Sequence, residues 1–139
     1  MDNEERRSIL LGMYDAFNAR DLDRATEFLA PDVDWPNSMT GGREHGRAAV
    51  RAYWEHVWAQ IDPVIEPIKV DFAADGNAHV RAHQLVKGLD GAILEDRKLE
   101  HIFTFDGAFV TRLVIIDEDP DPDADADDDE NDDDDQDQS

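Results

Sequence analysis

Apolar positions recur along the chain in two rhythms. From Glu4 to about Arg20, Ile9, Leu10, Met13, Tyr14 and Phe17 repeat at helical spacing and form one apolar face, which predicts a first helix. Asp21 stands where a second helix needs its cap, and Leu22, Ala25, Phe28 and Leu29 continue the pattern until Pro31. Val33 and Trp35 then alternate with Asp32 and Asp34, a short strand closed by Pro36, and Gly41, Gly42 and Gly46 predict a loop. A third helix from Arg47 to about Gln60 gathers Val50, Tyr53, Trp54, Val57 and Trp58 on one side and stops at Asp62-Pro63.

Beyond that point the period drops to two. Ile68, Val70 and Phe72 mark a strand, Asp75-Gly76 a hairpin turn, and Ala78 to Lys87 the next strand. After the turn at Gly88 to Gly91, a long strand runs from Leu94 to Phe105, and Asp106-Gly107 leads into a last strand, Phe109 to Asp117. Such short connections imply an antiparallel meander. The last strand is apolar on both faces, as a strand covered on both sides would be. The order of elements is that of an α+β fold, with residues 1–117 as one domain and 118–139 as a tail.

Charge separates the two parts. The chain carries a net −22, yet Asp117 to Ser139 holds 15 acidic residues and no basic one, leaving the body with 20 acids against 13 bases. A segment so poor in apolar residues cannot offset its ordering entropy, so the tail is predicted to be disordered. It serves either to keep the protein soluble or as an acidic arm for a basic partner. Nucleic acid is excluded as a partner, because phosphate neutralisation needs clustered Lys and Arg. The absence of cysteine removes disulfides, thiolate zinc sites and cysteine nucleophiles. No apolar run is long enough to span a bilayer and MDNEERRS lacks a signal-peptide core, so the expected setting is cytoplasmic with no membrane partner.

Candidate chemistry centres on His101. Alternation along the long strand puts Arg97, Leu99, His101, Phe103 and Phe105 on one side, the better inner face. Desolvation among Leu and Phe shifts an imidazole's pKa and suits it to acid–base work, though a buried His can also be purely structural. An acid such as Glu95 or Asp117 nearby would oppose that shift. Trp35, Trp54 and Trp58 suit the wall of an apolar ligand pocket, and aromatics at helical spacing equally build core. Asn37 shares the face of Trp35 and offers an amide to orient a carbonyl, or else completes a turn after Pro36. Asp34, one residue from Trp35, should point away from any pocket. His79, Arg81 and His83 share one face of their strand, Val80, Ala82, Gln84 and Val86 the other. No His or carboxylate spacing matches a recognised ligand set, so neither a metal nor another cofactor is expected.

Three segments carry a family resemblance: NARDLD (Asn18 to Asp23), DVDWPN followed by GGREHGRAAVRAYW (Asp32 to Trp54), and HIFTFDGAFVTRL (His101 to Leu113). They resemble the SnoaL-like and ketosteroid-isomerase-like branch of the nuclear transport factor 2-like superfamily. The resemblance implies a cone-shaped, curved, mixed sheet wrapped around the N-terminal helices, a pocket inside the cone, and a homodimer through the outer sheet face. In the isomerase the base is an Asp in a Val-x-Asp-Pro motif, and here Val33-Asp34-Trp35-Pro36 puts Trp35 in its place. The oxyanion Tyr corresponds to Met13, with Tyr14 one step and about 100° further round the helix. The second oxyanion donor, an Asp, corresponds to His101. With all three positions changed, steroid isomerisation by that machinery is disfavoured. The resemblance instead suggests a small-molecule pocket protein working without a cofactor on an apolar, carbonyl-bearing ligand, as an isomerase, cyclase or hydratase. His101, Asn37 and Asp117, which ends its strand where some cyclase relatives place an acid, are the candidate catalytic residues. Tyr14, Trp35, Trp54, Leu99 and Phe103 are the candidate ligand-binding ones. The alternative is a non-catalytic ligand-binding or dimeric scaffold module.

Overall fold

The structure is a computed structural model and describes residues 2–117; the expected disordered tail, 118–139, lies outside the described residues. Three helices, α1 (Asn3–Asn18), α2 (Leu22–Glu27) and α3 (Arg47–Trp58), accompany six strands: β1 (Leu29–Pro36), β2 (Arg43–His45), β3 (Ile61–Phe72), β4 (Ala78–Gly88), β5 (Ile93–Asp106) and β6 (Phe109–Asp117). They form one six-stranded sheet in the order β2-β1-β6-β5-β4-β3. The meander β3-β4-β5-β6 is antiparallel, and β1 joins β6 in parallel, so the sheet is mixed. The fold is α+β, with the N-terminal helices packed on the sheet.

Local chemistry sets the helix ends. Asp2 caps α1, accepting from the Glu5 amide at 2.9 Å while the Glu5 carboxylate accepts from the Asp2 amide at 3.1 Å, a reciprocal capping box. Asp21 caps α2 as expected, accepting from the Arg24 amide at 3.2 Å. Leu10, Met13, Tyr14 and Ala16 of α1 and Val50, Trp54 and Val57 of α3 turn inward against Val80 and Phe103 of the sheet.

Three boundaries differ from the sequence pattern, each for a tertiary reason. Asp62-Pro63 does not close a helix; both residues lie in β3, which starts at Ile61. β3 is an edge strand, and Pro is tolerated at an edge because its missing N–H need not serve a neighbour. Pro31 follows the end of α2 as expected but already lies within β1, which starts at Leu29, in the stretch between Leu29 and Asp34 where the register with β6 shifts. The predicted glycine loop also contains β2, which pairs Arg43, Glu44 and His45 with Pro36, Trp35 and Asp34. Gly46 follows at φ 94°, a left-handed conformation that suits glycine, and its amide donates to the Val33 carbonyl at 2.7 Å.

The open edge of β3 is covered by α1. Asn18 reads the Ile65 backbone with both ends of its amide, donating to the carbonyl at 2.8 Å and accepting from the N–H at 2.9 Å. Arg7 donates to the Val70 carbonyl at 3.2 Å further along the same strand. An edge so occupied offers less backbone for pairing with another chain.

The outer face of the central strands carries polar pairs. His79 meets Glu100 at 3.1 Å and His83 meets Asp96 at 2.5 Å across the β4–β5 pairing. The most exposed apolar side chains, Leu89, Ile93 and Leu94, lie together at the β4–β5 hairpin. Among the described residues no helix is long and apolar enough to cross a membrane.

Candidate functional site

A cavity of about 230 Å³ lies between the inner face of the sheet and helices α1 and α3. α1 contributes Met13, Tyr14 and Phe17, three residues of one helical face, and β5 contributes His101 and Phe103 by alternation. The Tyr14 hydroxyl and His101 Nδ1 are 2.7 Å apart, a full hydrogen bond between buried groups. The two rings are nearly parallel, at 4°, and Phe103 presents its ring nearly at right angles to both. Burial raises the Tyr14 pKa well above its ordinary value and pushes His101 down to about 4. Both side chains are therefore neutral at pH 7.

A neutral pair of this kind can share its protons in two arrangements. In one tautomer the Tyr14 hydroxyl donates to Nδ1 and Nε2 carries the imidazole proton. In the other, Nδ1–H donates to the Tyr14 oxygen, which frees the hydroxyl proton and leaves Nε2 a base. Nε2 is shut off from solvent and has no hydrogen-bond partner among the described residues. Such an orphaned buried atom costs stability, of order 1–3 kcal/mol.

The walls are aromatic. Trp35 meets Trp54 edge-on at 5.4 Å, and Trp54 in turn packs on Phe17 at 5.5 Å. Polar lining away from the Tyr14–His101 pair comes from Gln84, Glu95 and Arg97 on β4 and β5 and from Ser38 and Tyr53, where the Ser38 amide donates to the Tyr53 hydroxyl at 3.0 Å. The Glu95 carboxylate accepts from Gln84 Nε2 at 2.8 Å and from Arg97 Nε at 3.0 Å.

The sequence profile of the SnoaL-like domain family matches residues 10–114, a stretch that contains every one of these wall and rim residues. The chain belongs to the SnoaL-like family. Solved structures place this SnoaL-like chain in the nuclear transport factor 2-like superfamily. A nuclear transport factor 2-like protein of unknown function from Burkholderia pseudomallei is 25% identical, with a TM-score of 0.72 over 85% of this chain and 92% of that one. A putative polyketide cyclase from Sinorhizobium meliloti is 26% identical, with a TM-score of 0.67 over 78% and 93%. An epoxide hydrolase/cyclase-like enzyme of pyran ring formation in salinomycin shares the fold at 17% identity, with a TM-score of 0.73 over 85% and 94%. No curated protein matches the chain.

Within this SnoaL-like cavity Trp35, Met13 and His101, the three positions aligned with the isomerase machinery, all line the wall. So does Tyr14, because the inward stripe of α1 is wide enough to hold two adjacent residues. Trp54 and Phe103 also line it, while Trp58 stacks on Trp54 at 6.2 Å. Two candidates fall elsewhere. Asn37 is off the cavity wall and completes the turn: its oxygen accepts from the Met39 and Thr40 amides, and its nitrogen donates to Glu44 at 2.9 Å. Leu99 is buried at 1% exposure but is not part of the cavity wall. Asp117 closes β6 in register with Leu99, and its side chain lies outside the described part of the structure.

Asp34 points away from the cavity, as alternation requires. It binds Arg43 Nε at 2.6 Å, Arg112 at 2.9 Å and His45 at 3.5 Å, and the Arg43 hydrogen bond is the main cause of its lowered pKa. Arg43 also donates to the Leu113 carbonyl at 2.7 Å, so this cluster ties β2 to β1 and β6. The direct Tyr14–His101 bond was not legible in the sequence, because the partners stand 87 positions apart. Alternation put Gln84 on one face with Val86, and both line the cavity, but the link from Gln84 to Glu95 depends on the β4–β5 register.

Proposed function

We propose that this protein binds a flat, mostly apolar small molecule carrying a carbonyl or hydroxyl oxygen and acts on it by cofactor-free acid–base catalysis, as an isomerase, cyclase or hydratase does. The observation that carries this reading is the neutral Tyr14–His101 hydrogen bond in an aromatic cavity. For a ketone, Nε2 takes the proton from the carbon next to the carbonyl as the Tyr14 hydroxyl proton passes to the carbonyl oxygen. The Nδ1 proton refills the tyrosine. The ligand leaves as the enol, the pair ends neutral in its other tautomer, and neither buried group carries net charge at rest. Burial disfavours charge on either side chain, which is why a concerted exchange suits them. The polyketide cyclase and cyclase-like neighbours are consistent with such chemistry.

A second reading, a binding module without turnover, is favoured by the closure of Nε2 from solvent. Hydrogen–deuterium exchange of 2-tetralone in D₂O separates the two. Catalysis predicts accelerated exchange that falls by roughly 10²- to 10⁴-fold in Tyr14→Phe and His101→Ala. Binding of 2-tetralone with no accelerated exchange would leave the binding module.

A further inference from the structure

We infer that the cavity is built for a two-ended ligand, whose inner oxygen meets Tyr14 and His101 and whose outer end carries a neutral hydroxyl or enol held by Gln84, Glu95 and Arg97. This inference rests on the reading of the cavity as a small-molecule site. The polar lining of the sheet side is divided: Tyr14–His101 at one place, Gln84, Glu95 and Arg97 at another. Gln84 and Arg97 are direct partners across β4 and β5, and His101 lies further along β5 opposite Val80. Four residues of strand separate Arg97 from His101, roughly 13 Å between Cα atoms. Allowing a hydrogen bond of about 2.8 Å at each end leaves about 7 Å, close to the span of a two-ring skeleton substituted at opposite ends.

The rim's chemistry selects the outer substituent. Glu95 is half-buried and both its oxygens are engaged, one by Gln84 and the other by Arg97. A locked carboxylate–guanidinium pair has no net charge, so it gives little attraction to an anion and places Glu95 against it. A hydroxyl suits the pair better, because it donates to the Glu95 carboxylate while accepting from Arg97 or Gln84. The aromatic side chains that line the same cavity, Trp35, Trp54 and Phe17, suit a fused-ring body.

Calorimetry at pH 7 with three naphthalene probes tests this: 2-naphthol, 2,6-dihydroxynaphthalene and 6-hydroxy-2-naphthoate. The diol should bind about tenfold tighter than 2-naphthol, the effect of one additional hydrogen bond. Glu95→Ala should bring that ratio close to one and Glu95→Gln leave it intermediate, while Tyr14→Phe should weaken both compounds and keep the ratio. Equal binding of diol and 2-naphthol, a ratio untouched by Glu95→Ala, or tightest binding of the naphthoate would overturn the inference and leave the cavity reading intact. Failure of all three compounds to bind would remove both.

Discussion

Replacing His101 by glutamine should make the protein less sensitive to acid, and the size of the effect follows from the histidine's burial. His101 is 3% exposed, and burial lowers its pKa from 6.5 to about 4. Between those values the unfolded chain takes up a proton that the folded chain refuses. Stability from this site is therefore fully present above about pH 6.5 and is lost as pH falls towards 4. At about 1.36 kcal/mol per pH unit the loss comes to roughly 3 kcal/mol, a large share of the 5–15 kcal/mol typical of a domain. Glutamine does not titrate, and its amide oxygen can still accept from the Tyr14 hydroxyl. Urea unfolding followed by tryptophan fluorescence at pH 7, 5.5 and 4.2 measures both proteins. Their carboxylates are the same, so acid effects at Asp34 and along the acidic tail cancel in the difference. Wild type should lose about 3 kcal/mol more than His101→Gln across this range. Parallel pH dependences would show that His101 protonates without penalty, and the neutral-pair chemistry would lose its basis.

Asp34→Asn should cost about 1–3 kcal/mol, because Arg43 and Arg112 lose a shared carboxylate in a part-buried site. Asp34 has a lowered pKa in the fold, so its contribution is present above the ordinary carboxylate value of about 4 and disappears as pH falls through the lower folded value; denaturation curves of variant and wild type should converge there. Asn18→Ala should cost about 1–3 kcal/mol by stranding both polar groups of Ile65, with faster hydrogen exchange at the Ile65 amide and β3 frayed first. A homodimer through the outer sheet face would bring the His79–Glu100 and His83–Asp96 pairs into its interface; sedimentation velocity at micromolar concentration should then show a dimer, and a lone monomer peak would dismiss it.

The sequence by itself determined the helices and the meander, because each rests on a local period. The apolar face from Leu10 to Phe17, the cap at Asp21, and the turns at Asp75-Gly76 and Asp106-Gly107 depend on neighbours in the chain. The last strand runs from Phe109 to Asp117 as its pattern predicts, and alternation placed His101 and Phe103 on the cavity side and Asp34 on the other. Tertiary structure decided everything that needed a distant partner. Pro63 read as a helix stop, but an edge strand absorbs it, and Pro31, beyond the end of α2 as expected, lies in β1 at a register shift. β2 is too short to show a period and exists because β1 offers it hydrogen bonds. Asn37 and Leu99 fit an inward pattern, yet one is consumed by its own turn and the other lies off the cavity wall. Most of all, Tyr14 became a partner of His101 only because α1 packs across β5. Periodicity gives a side chain its face, whereas the packing of one element on another chooses which side chain it meets.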